Sequence, residues 1–486
     1  MSISPRAFPG RTPGAILDDE GKGAAMTLRR AAVQAFFADL WANVWRWVLF
    51  AVAAVLAVYF ALDRDVASGA VDAIALGVLV IGVALTPRHP MALPMLAVPA
   101  VFVTARVGFG GGDLTVSDLA LALAFMTVVL LSRHDFSPTM RALLWLNAVY
   151  QFTTLLTVIV NPFPQNTVEW FHAWLLISGA LLVGWGVGRA GLMRTAFLLM
   201  FVMGAVIALG TIATAVVVFV TDGFQSIYPL WPWPMHKNFA GSAMALVALI
   251  AFIKPAAADL PRKATVPVFW LMLVGIALTQ SRQAAIGLLL SMLIFTLRSG
   301  ASRHKVLVAV LAIPGAVLIV QSVIDQIQSQ NRFNSTYQRL EWFREVYALW
   351  KHSPIFGHGL RYWYVHPTAN FQPPQAELEV VASAGLVGLA GFIVMWIGFL
   401  VVLWKFWSKH TALGALAFTA VFSRIVQGQF DLFWVSAQVS IPFVIAGVCL
   451  GAQVLASHRE NSDDSPKIEN LGEQGAGWRS ATMSGR

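Results

Sequence analysis

The sequence predicts an all-α polytopic membrane protein with about 12–14 transmembrane helices and one large extracytoplasmic loop. Three observations predict it. Of 486 residues, 58% are hydrophobic and only 12% are charged, whereas soluble domains carry about 25% charged residues. The apolar residues form continuous runs, not the alternating pattern of a transmembrane β-barrel. Lys and Arg concentrate in every second loop, as cytoplasmic loops do. These features exclude a soluble enzyme, a disordered chain and a disulfide scaffold. The single cysteine, Cys449, sits in an apolar run, so neither an intrachain disulfide nor a thiolate metal site is expected. The net charge of +9 is accounted for by loop residues that set orientation, and no nucleic-acid partner is expected.

The elements follow from the runs. Residues 1–45 are expected to form a cytoplasmic N-terminal tail, with an amphipathic interfacial helix over 28–45. The transmembrane domain is expected over 46–456. Its spans fall near 46–62, 71–86, 91–105, 116–132, 142–160, 168–188, 194–220, 239–254, 265–280, 282–297, 305–321, 379–404, 411–428 and 433–455. Pro94 and Pro99 make the 91–105 run a candidate re-entrant segment. Residues 457–486 read as a disordered cytoplasmic tail. The basic loops hold Arg29 and Arg30; Arg88; Arg133 and Arg141; Arg189 and Arg194; Lys254, Arg262 and Lys263; Arg298, Arg303 and Lys305; Lys405 and Lys409; and Arg459. That alternation places both termini in the cytoplasm.

The loop over 322–378 is expected outside, yet it carries Arg332, Arg339, Arg344, Lys351 and Arg361. Leu340, Phe343, Tyr347 and Trp350 recur at helical spacing within it, and Pro354 ends the run. This helix either rests at the interface or covers a site that opens to the outer leaflet. A second outer segment, over 227–238, interleaves Pro229, Pro232 and Pro234 with Tyr228, Trp231 and Trp233. It is stiff and delivers His236, Lys237 and Asn238 to a helix start. A lysine at an outer boundary points to an anionic partner.

Charges next to spans are costly and are therefore the functional candidates. Arg282 stands in the short break Thr279-Gln280-Ser281-Arg282 between two apolar runs. Arg339 and Arg344 lie on the loop helix. Glu169 and His172, one turn apart, read as an interhelical hydrogen-bonding pair. Arg424 and Asp431 flank the last outer loop, as an ion pair or as acceptor contacts. Asp63-Arg64-Asp65 reads as a solvated turn, and no metal site is visible.

Three features, in order, carry a resemblance: the Ser281-Arg282 break; Arg339 followed by Trp342 and then Pro354-Ile355-Phe356-Gly357-His358-Gly359; and Leu378 running into Gly385-Leu386-Val387-Gly388-Leu389 at the next helix. Over residues 225–450 the chain resembles the bacterial O-antigen ligase and O-antigen polymerase superfamily. The resemblance implies an inner-membrane glycosyltransferase without a cofactor. It would transfer a glycan from a polyprenyl-diphosphate-linked donor to an acceptor hydroxyl on a glycan, lipid or protein, at the outer face, among membrane lipids. Arg282 and Arg339 would clamp the diphosphate, with Lys237, His236, Arg344, Arg361, His366 and Arg424 as further substrate contacts. The family usually has a histidine just before the last of these motifs. Here Pro374 and Gln375 occupy that place, with His358 and His366 out of register. Glu377 is the expected replacement base, with Glu379 second. The rival readings are a lipid-linked glycan flippase or transporter, and a non-catalytic glycolipid-binding member of the family.

Overall fold

The structure, a computed structural model, describes residues 86, 89–106, 115–131, 136–300, 307, 308, 310, 335–366 and 372–463. The expected N-terminal tail, the 28–45 helix, the 46–62 span, Asp63-Arg64-Asp65, Arg332 and nearly all of the 71–86 and 305–321 spans lie outside them. Residues Pro90–Arg486 form one unit. Its helices are α1 (Ala92–Ala100), α2 (Val116–Leu131), α3 (Pro138–Val160), α4 (Pro164–Trp174), α5 (Ala180–Arg189), α6 (Met193–Thr221) and α7 (Lys237–Ile253). They continue with α8 (Arg262–Thr279), α9 (Arg282–Ser299), α10 (Ser335–His352), α11 (Tyr362–Val365), α12 (Ala376–Lys409), α13 (Thr411–Gly428) and α14 (Ser436–Asp463). A single π-helical turn, Leu175–Gly179, joins α4 to α5. Among the described residues the only β pairing is one bridge, Arg106 with Thr115.

The chain is an all-α polytopic membrane protein. Six helical segments among the described residues are long and apolar enough to cross a bilayer: Pro138–Val160, Pro164–Arg189, Met193–Thr221, Arg262–Thr279, Ala376–Lys409 and Ser436–Glu460. Helix α3 shows the solvent it is built for. Trp145, Phe152 and Ile159 face outward, while Asn147, Gln151, Thr154 and Thr157 are buried. A water-soluble helix has the reverse arrangement. In lipid the apolar face is turned outward and polar groups pair inside, as Asn147 does with Ser178 at 2.6 Å.

Two expected elements differ. The 91–105 run gives a helix of only nine residues, too short to cross at ~1.5 Å per residue. It leaves the helix at Val101, just after Pro99. At the other end of the chain, α14 stays helical to Asp463, beyond the expected boundary at 457.

The tightest seam joins α5 to α14. Gly184 and Gly188 meet Gly447 and Gly451, each pair spaced four apart. A Cβ at any of the four would stand 2.1–2.3 Å from a backbone oxygen of the facing helix. Only glycine permits that approach, the membrane packing made by small residues at four-residue spacing. Loops far apart in sequence meet at one end, where Arg194 Nη1 pairs with Asp259 Oδ2 at 2.8 Å and Arg298 Nη2 donates to Ser408 Oγ at 2.5 Å. That end gathers Arg189, Arg194, Lys254, Arg262, Arg298, Lys405 and Lys409. The other holds the first residues of α7, α9 and α12 and the last of α13.

Candidate active site

At that second end α12 is broken. Gly385 has φ 65° and ψ −164°, which stops the helix without ending it. Leu386 and Val387 thereby lose the carbonyls of Ala382 and Ser383. The loop after α10 repairs all four groups. Leu386 N–H donates to Pro354 O at 2.9 Å and Val387 N–H to Ile355 O at 3.1 Å. His358 N–H donates to Ala382 O at 3.1 Å and Gly359 N–H to Ser383 O at 2.9 Å. Unsatisfied backbone groups at membrane depth cost several kcal/mol each, so the break and the loop require one another. Gly357 has φ 66°, and a Cβ there would meet Ser383 backbone at 2.4 Å; one at Gly385 would meet Ile355 O at 2.3 Å. The Gly-His-Gly pattern is therefore a clasp. His358 Nε2 donates to Leu349 O at 2.8 Å, which ties the clasp to α10.

The short first half of α12 presents the two carboxyl groups. Glu377 Oε1 accepts from Gln429 Nε2 at 2.7 Å, while its Oε2 is buried without a hydrogen-bond partner. Glu379 is fully engaged: Oε1 accepts from Gln372 Nε2 at 2.6 Å and Oε2 from Phe433 N–H at 3.3 Å. Arg424 lies beneath the α13–α14 turn and has no exposed surface. It donates to Gln438 Oε1 at 2.7 Å, to Leu432 O at 2.8 Å and to Phe433 O. It thus shapes the turn whose Phe433 amide holds Glu379. Asp431 accepts from Gln283 Nε2 at 2.8 Å rather than from Arg424.

The cations come from two adjacent helix starts. Lys237 opens α7 and Arg282 opens α9, where Arg282 is exposed. Ser281 Oγ approaches Asn238 Oδ1 at 3.5 Å, and Gly241 makes room for Ser281. Lys237 Nζ donates to Ser226 Oγ at 3.2 Å and lies 5.5 Å from the centre of the Tyr228 ring. His236 caps α7, its Nδ1 accepting from Asn238 N–H at 3.3 Å. The surrounding protein desolvates His236 and lowers its pKa; Lys237 adds to this and Asp431 opposes it. Two helix N-termini and two cations make a field suited to an anion. Gln283, next to Arg282, bonds to Asp431, two residues from the Gln429 that holds Glu377. The start of α9 and Glu377 are thus both tied to the α13–α14 turn.

A second polar cluster lies at the same end. Arg361 Nε pairs with Glu169 Oε2 at 3.1 Å, Glu169 Oε1 with His172 Nδ1 at 3.5 Å, and His172 Nε2 with Asp118 Oδ1 at 3.0 Å. Asp118 also accepts from Thr115 N–H and Oγ1 at 2.9 and 2.7 Å, closing a capping box on α2. Both imidazole nitrogens face carboxylates, which leaves neither to take a proton from substrate. Ser436 Oγ reaches His172 at 3.3 Å, but on the nitrogen that Asp118 already shares, unlike a Ser–His–Asp relay.

Of the expected site residues, Lys237, His236, Arg282 and Glu377 are brought to one turn. Arg361 is committed to Glu169 and lies 4.4 Å from the centre of the Tyr364 ring. Arg344 is exposed on α10, and His366 is exposed and stacks on Tyr362 at 4.9 Å. The backbone at Arg339 is part of α10, but its side chain lies outside the described residues. His172 makes the expected bond between helices, to Asp118 of α2, while Glu169 pairs with Arg361 of the loop before α11. Gln283, Gln372, Gln429 and Asp118 join the site without having been expected; the signal for Asp118 was the Thr115-x-x-Asp118 spacing. Among the described residues no three His, Cys, Asp or Glu side chains are placed to hold a metal ion.

Residues 267–393 match the family model described as O-antigen ligase. The match runs from α8 through Arg282, α10, the clasp and the α12 break, so this stretch of the chain is similar to the O-antigen ligase family. No curated protein matches the chain.

Proposed function

With an O-antigen ligase domain over residues 267–393 as premise, we propose that the protein transfers a glycan from a polyprenyl-diphosphate-linked donor to an acceptor hydroxyl. The transfer takes place at the outer face of the bacterial inner membrane. The basic end of the bundle, with Arg189, Arg262, Arg298 and Lys409, is then cytoplasmic, and the site end faces out. Arg282, Lys237 and Arg339 hold the diphosphate. As the bond from the anomeric carbon to the diphosphate breaks, its electron pair leaves with the diphosphate, whose charge the cations stabilise. The acceptor oxygen bonds to the anomeric carbon and its proton passes to Glu377. The observation that carries this reading is the unpartnered Oε2 of Glu377 at the same turn as the α7 and α9 cations.

A deletion strain tests it. Loss of a ligase leaves lipid-linked polymer unattached, and loss of a polymerase leaves single repeat units. Precursor stranded in the inner leaflet would instead identify a flippase and overturn the reading. Reporter fusions supply the orientation: one at Lys409 is expected to read cytoplasmic and one at Asn334 external.

A further inference from the structure

Helix α6 has 29 residues, while α7, α8 and α9 have 17, 18 and 18. At about 1.5 Å per residue α6 is about 43 Å long, the full depth of a bilayer with its headgroups. The other three are about 26 Å long, less than the hydrocarbon alone. The difference lies at the site end. Val247 of α7 and Met272 of α8 pack at Gly204 of α6; one turn on, Met244 and Gly275 meet near Ala208. Helices α6 and α8 therefore run one way and α7 the other. Ten residues beyond Gly204 and Val247, towards the site end, are Thr214 on α6 and Lys237 on α7, where α7 stops. Arg282 opens α9 close to that level, with Ser281 against Gly241 of α7. Helix α6 alone runs on to Thr221, about 10 Å further. Val216, Val217 and Val220 on this extension are 62%, 62% and 83% exposed, a lipid-facing surface. Exposed polar groups, Asp222 and Gln225, follow only after it. Lys237 and Arg282 thus stand in a recess below the outer end of α6.

The segment over 227–235 descends into this recess along α6. Ile227 N–H donates to Leu278 O at 3.2 Å, and Leu230 N–H to Thr214 Oγ1 at 3.3 Å. Trp231 O lies one turn deeper, where it would collide with a Cβ on Gly210. Trp233 Nε1 donates to Thr104 Oγ1 at 3.2 Å, and Met235 N–H closes the loop onto Pro229 O at 2.8 Å. Irregular backbone at membrane depth is tolerated only where its polar groups are matched. Pro229, Pro232 and Pro234 remove three N–H donors from the loop, and the bonds above take those of Ile227, Leu230 and Met235. The tip still turns apolar side chains outward: Leu230 and Trp231 are 67% and 55% exposed. At a level where α6 faces lipid, that exposure is to hydrocarbon; the wall of a water-filled cavity would carry polar groups.

We propose that residues 227–235 form a re-entrant strap whose Leu230–Trp231 tip is embedded in the acyl chains of the leaflet at the site end. The partner of this surface is the bulk lipid of that leaflet. The strap also sets the depth of the two cations. An anion meets Lys237 and Arg282 at the boundary between headgroups and hydrocarbon, not in bulk water. The inference goes beyond the transfer reading and stands or falls without it.

Nitroxide labels on the full-length protein in phosphatidylcholine nanodiscs measure that depth. Cys449 is the single cysteine and is buried, so Cys449→Ala clears the background. Labels are then placed by Leu230→Cys at the tip, Val216→Cys on the lipid face of α6 and Gln225→Cys beyond its end. Collision with oxygen, which concentrates in hydrocarbon, and with a nickel chelate confined to water reports the depth of each. The label at 230 is expected within one helical turn, about 5 Å, of the depth at 216, and about 10 Å deeper than at 225. Trp231→Cys is expected to agree, so that no single variant decides the result. A label at 230 that meets the nickel chelate as readily as the one at 225 overturns the proposal, because the strap would then lie in water. A label at 230 shielded from both reagents overturns it too, since protein and not lipid would cover the tip. The transfer reading is judged separately, by the glycans of the deletion strain, and a flippase result there leaves this measurement unaffected.

Discussion

Two polar clusters sit at the same end of the helix bundle, and they are built in opposite ways. In one, Asp118, His172, Glu169 and Arg361 form a continuous chain with Thr115 and Ser436, and each ionisable group has a partner within 3.5 Å. In the other, Gln429 holds one oxygen of Glu377 and the second is left unpartnered. A closed chain of charges, each neutralised by the next, fixes geometry: it pins the loop that carries Arg361 to α4 and α2. An open cluster has interactions left to give a ligand. On the proposed function the first supplies stability and the second chemistry, and the two roles separate by experiment.

The largest effect is expected at Arg282. Arg282→Ala is predicted to lower transfer about 1000-fold, the cost of removing one group that stabilises developing charge. The protein should remain in the membrane at normal level with its melting temperature unchanged. Arg282→Lys should be impaired too, since lysine lacks the bidentate fork. Activity measured on membranes, with immunoblotting for protein level, checks both. Full activity in the lysine variant would reduce Arg282 to a headgroup anchor.

Glu377→Gln comes next. It keeps the shape and the bond with Gln429 but cannot take a proton, and about a 100-fold loss of transfer is expected. Retention of lipid-linked donor should persist, because Lys237 and Arg282 are untouched. Glu379→Gln should do much less to transfer, since Glu379 is already engaged by Gln372 and Phe433. Equal losses in the two variants would erase the distinction between an open and a satisfied carboxylate.

The closed cluster predicts the opposite pattern. Glu169→Ala leaves Arg361 and His172 without their shared partner. A fully buried pair broken this way costs about 3–5 kcal/mol; with Arg361 side chain 19% exposed, about 2 kcal/mol is the expected loss. It should appear as a lower melting temperature of the solubilised protein, with transfer per folded molecule preserved. Combining it with Arg361→Ala should cost less than the sum of the two changes. A variant of normal stability that fails in transfer would move this cluster into the chemistry.

The comparison also separates what the chain discloses by itself from what folding adds. Helix positions between 116 and 297 and between 379 and 455 are legible, because in lipid each span must be a continuous apolar run. The loop helix is legible from Leu340, Phe343, Tyr347 and Trp350. The break at Gly385 is not, because a glycine inside an apolar run reads as an ordinary packing residue. Only the docked loop, with Gly357 and its carbonyl partners, gives it meaning. The four-residue glycine spacings of α5 and α14 can be seen in sequence, but not that they face one another. Arg282 and Glu377 stand out as charges at span boundaries. The Thr115-x-x-Asp118 spacing marks Asp118 as a helix cap, but its bond to His172 and that of Arg361 to Glu169 join residues far apart in the chain, which no local pattern encodes.

The smallest expected effect is a pH dependence from His236, at the edge of the open cluster. Its neutral Nδ1 caps α7 by accepting the Asn238 amide. Its pKa is lowered, first by desolvation and then by Lys237, with Asp431 acting against both. The unfolded chain therefore takes up a proton at this position before the folded protein does. Stability should be constant above the ordinary histidine pKa of about 6.5. It should fall as the pH drops from there toward the lowered folded-state value, and level off below it. Protonation of Nδ1 also removes the acceptor that caps α7, so the start of the helix beside Arg282 should loosen in the same window. Melting temperatures of the wild type and His236→Gln between pH 5 and 8 check this. The wild type should lose stability on the acid side relative to the variant, whose amide does not titrate, and the two curves should run parallel above pH 7. Parallel curves over the whole range would mean that His236 is as easily protonated in the folded protein as in water. The edge of the open cluster would then carry no tuned group.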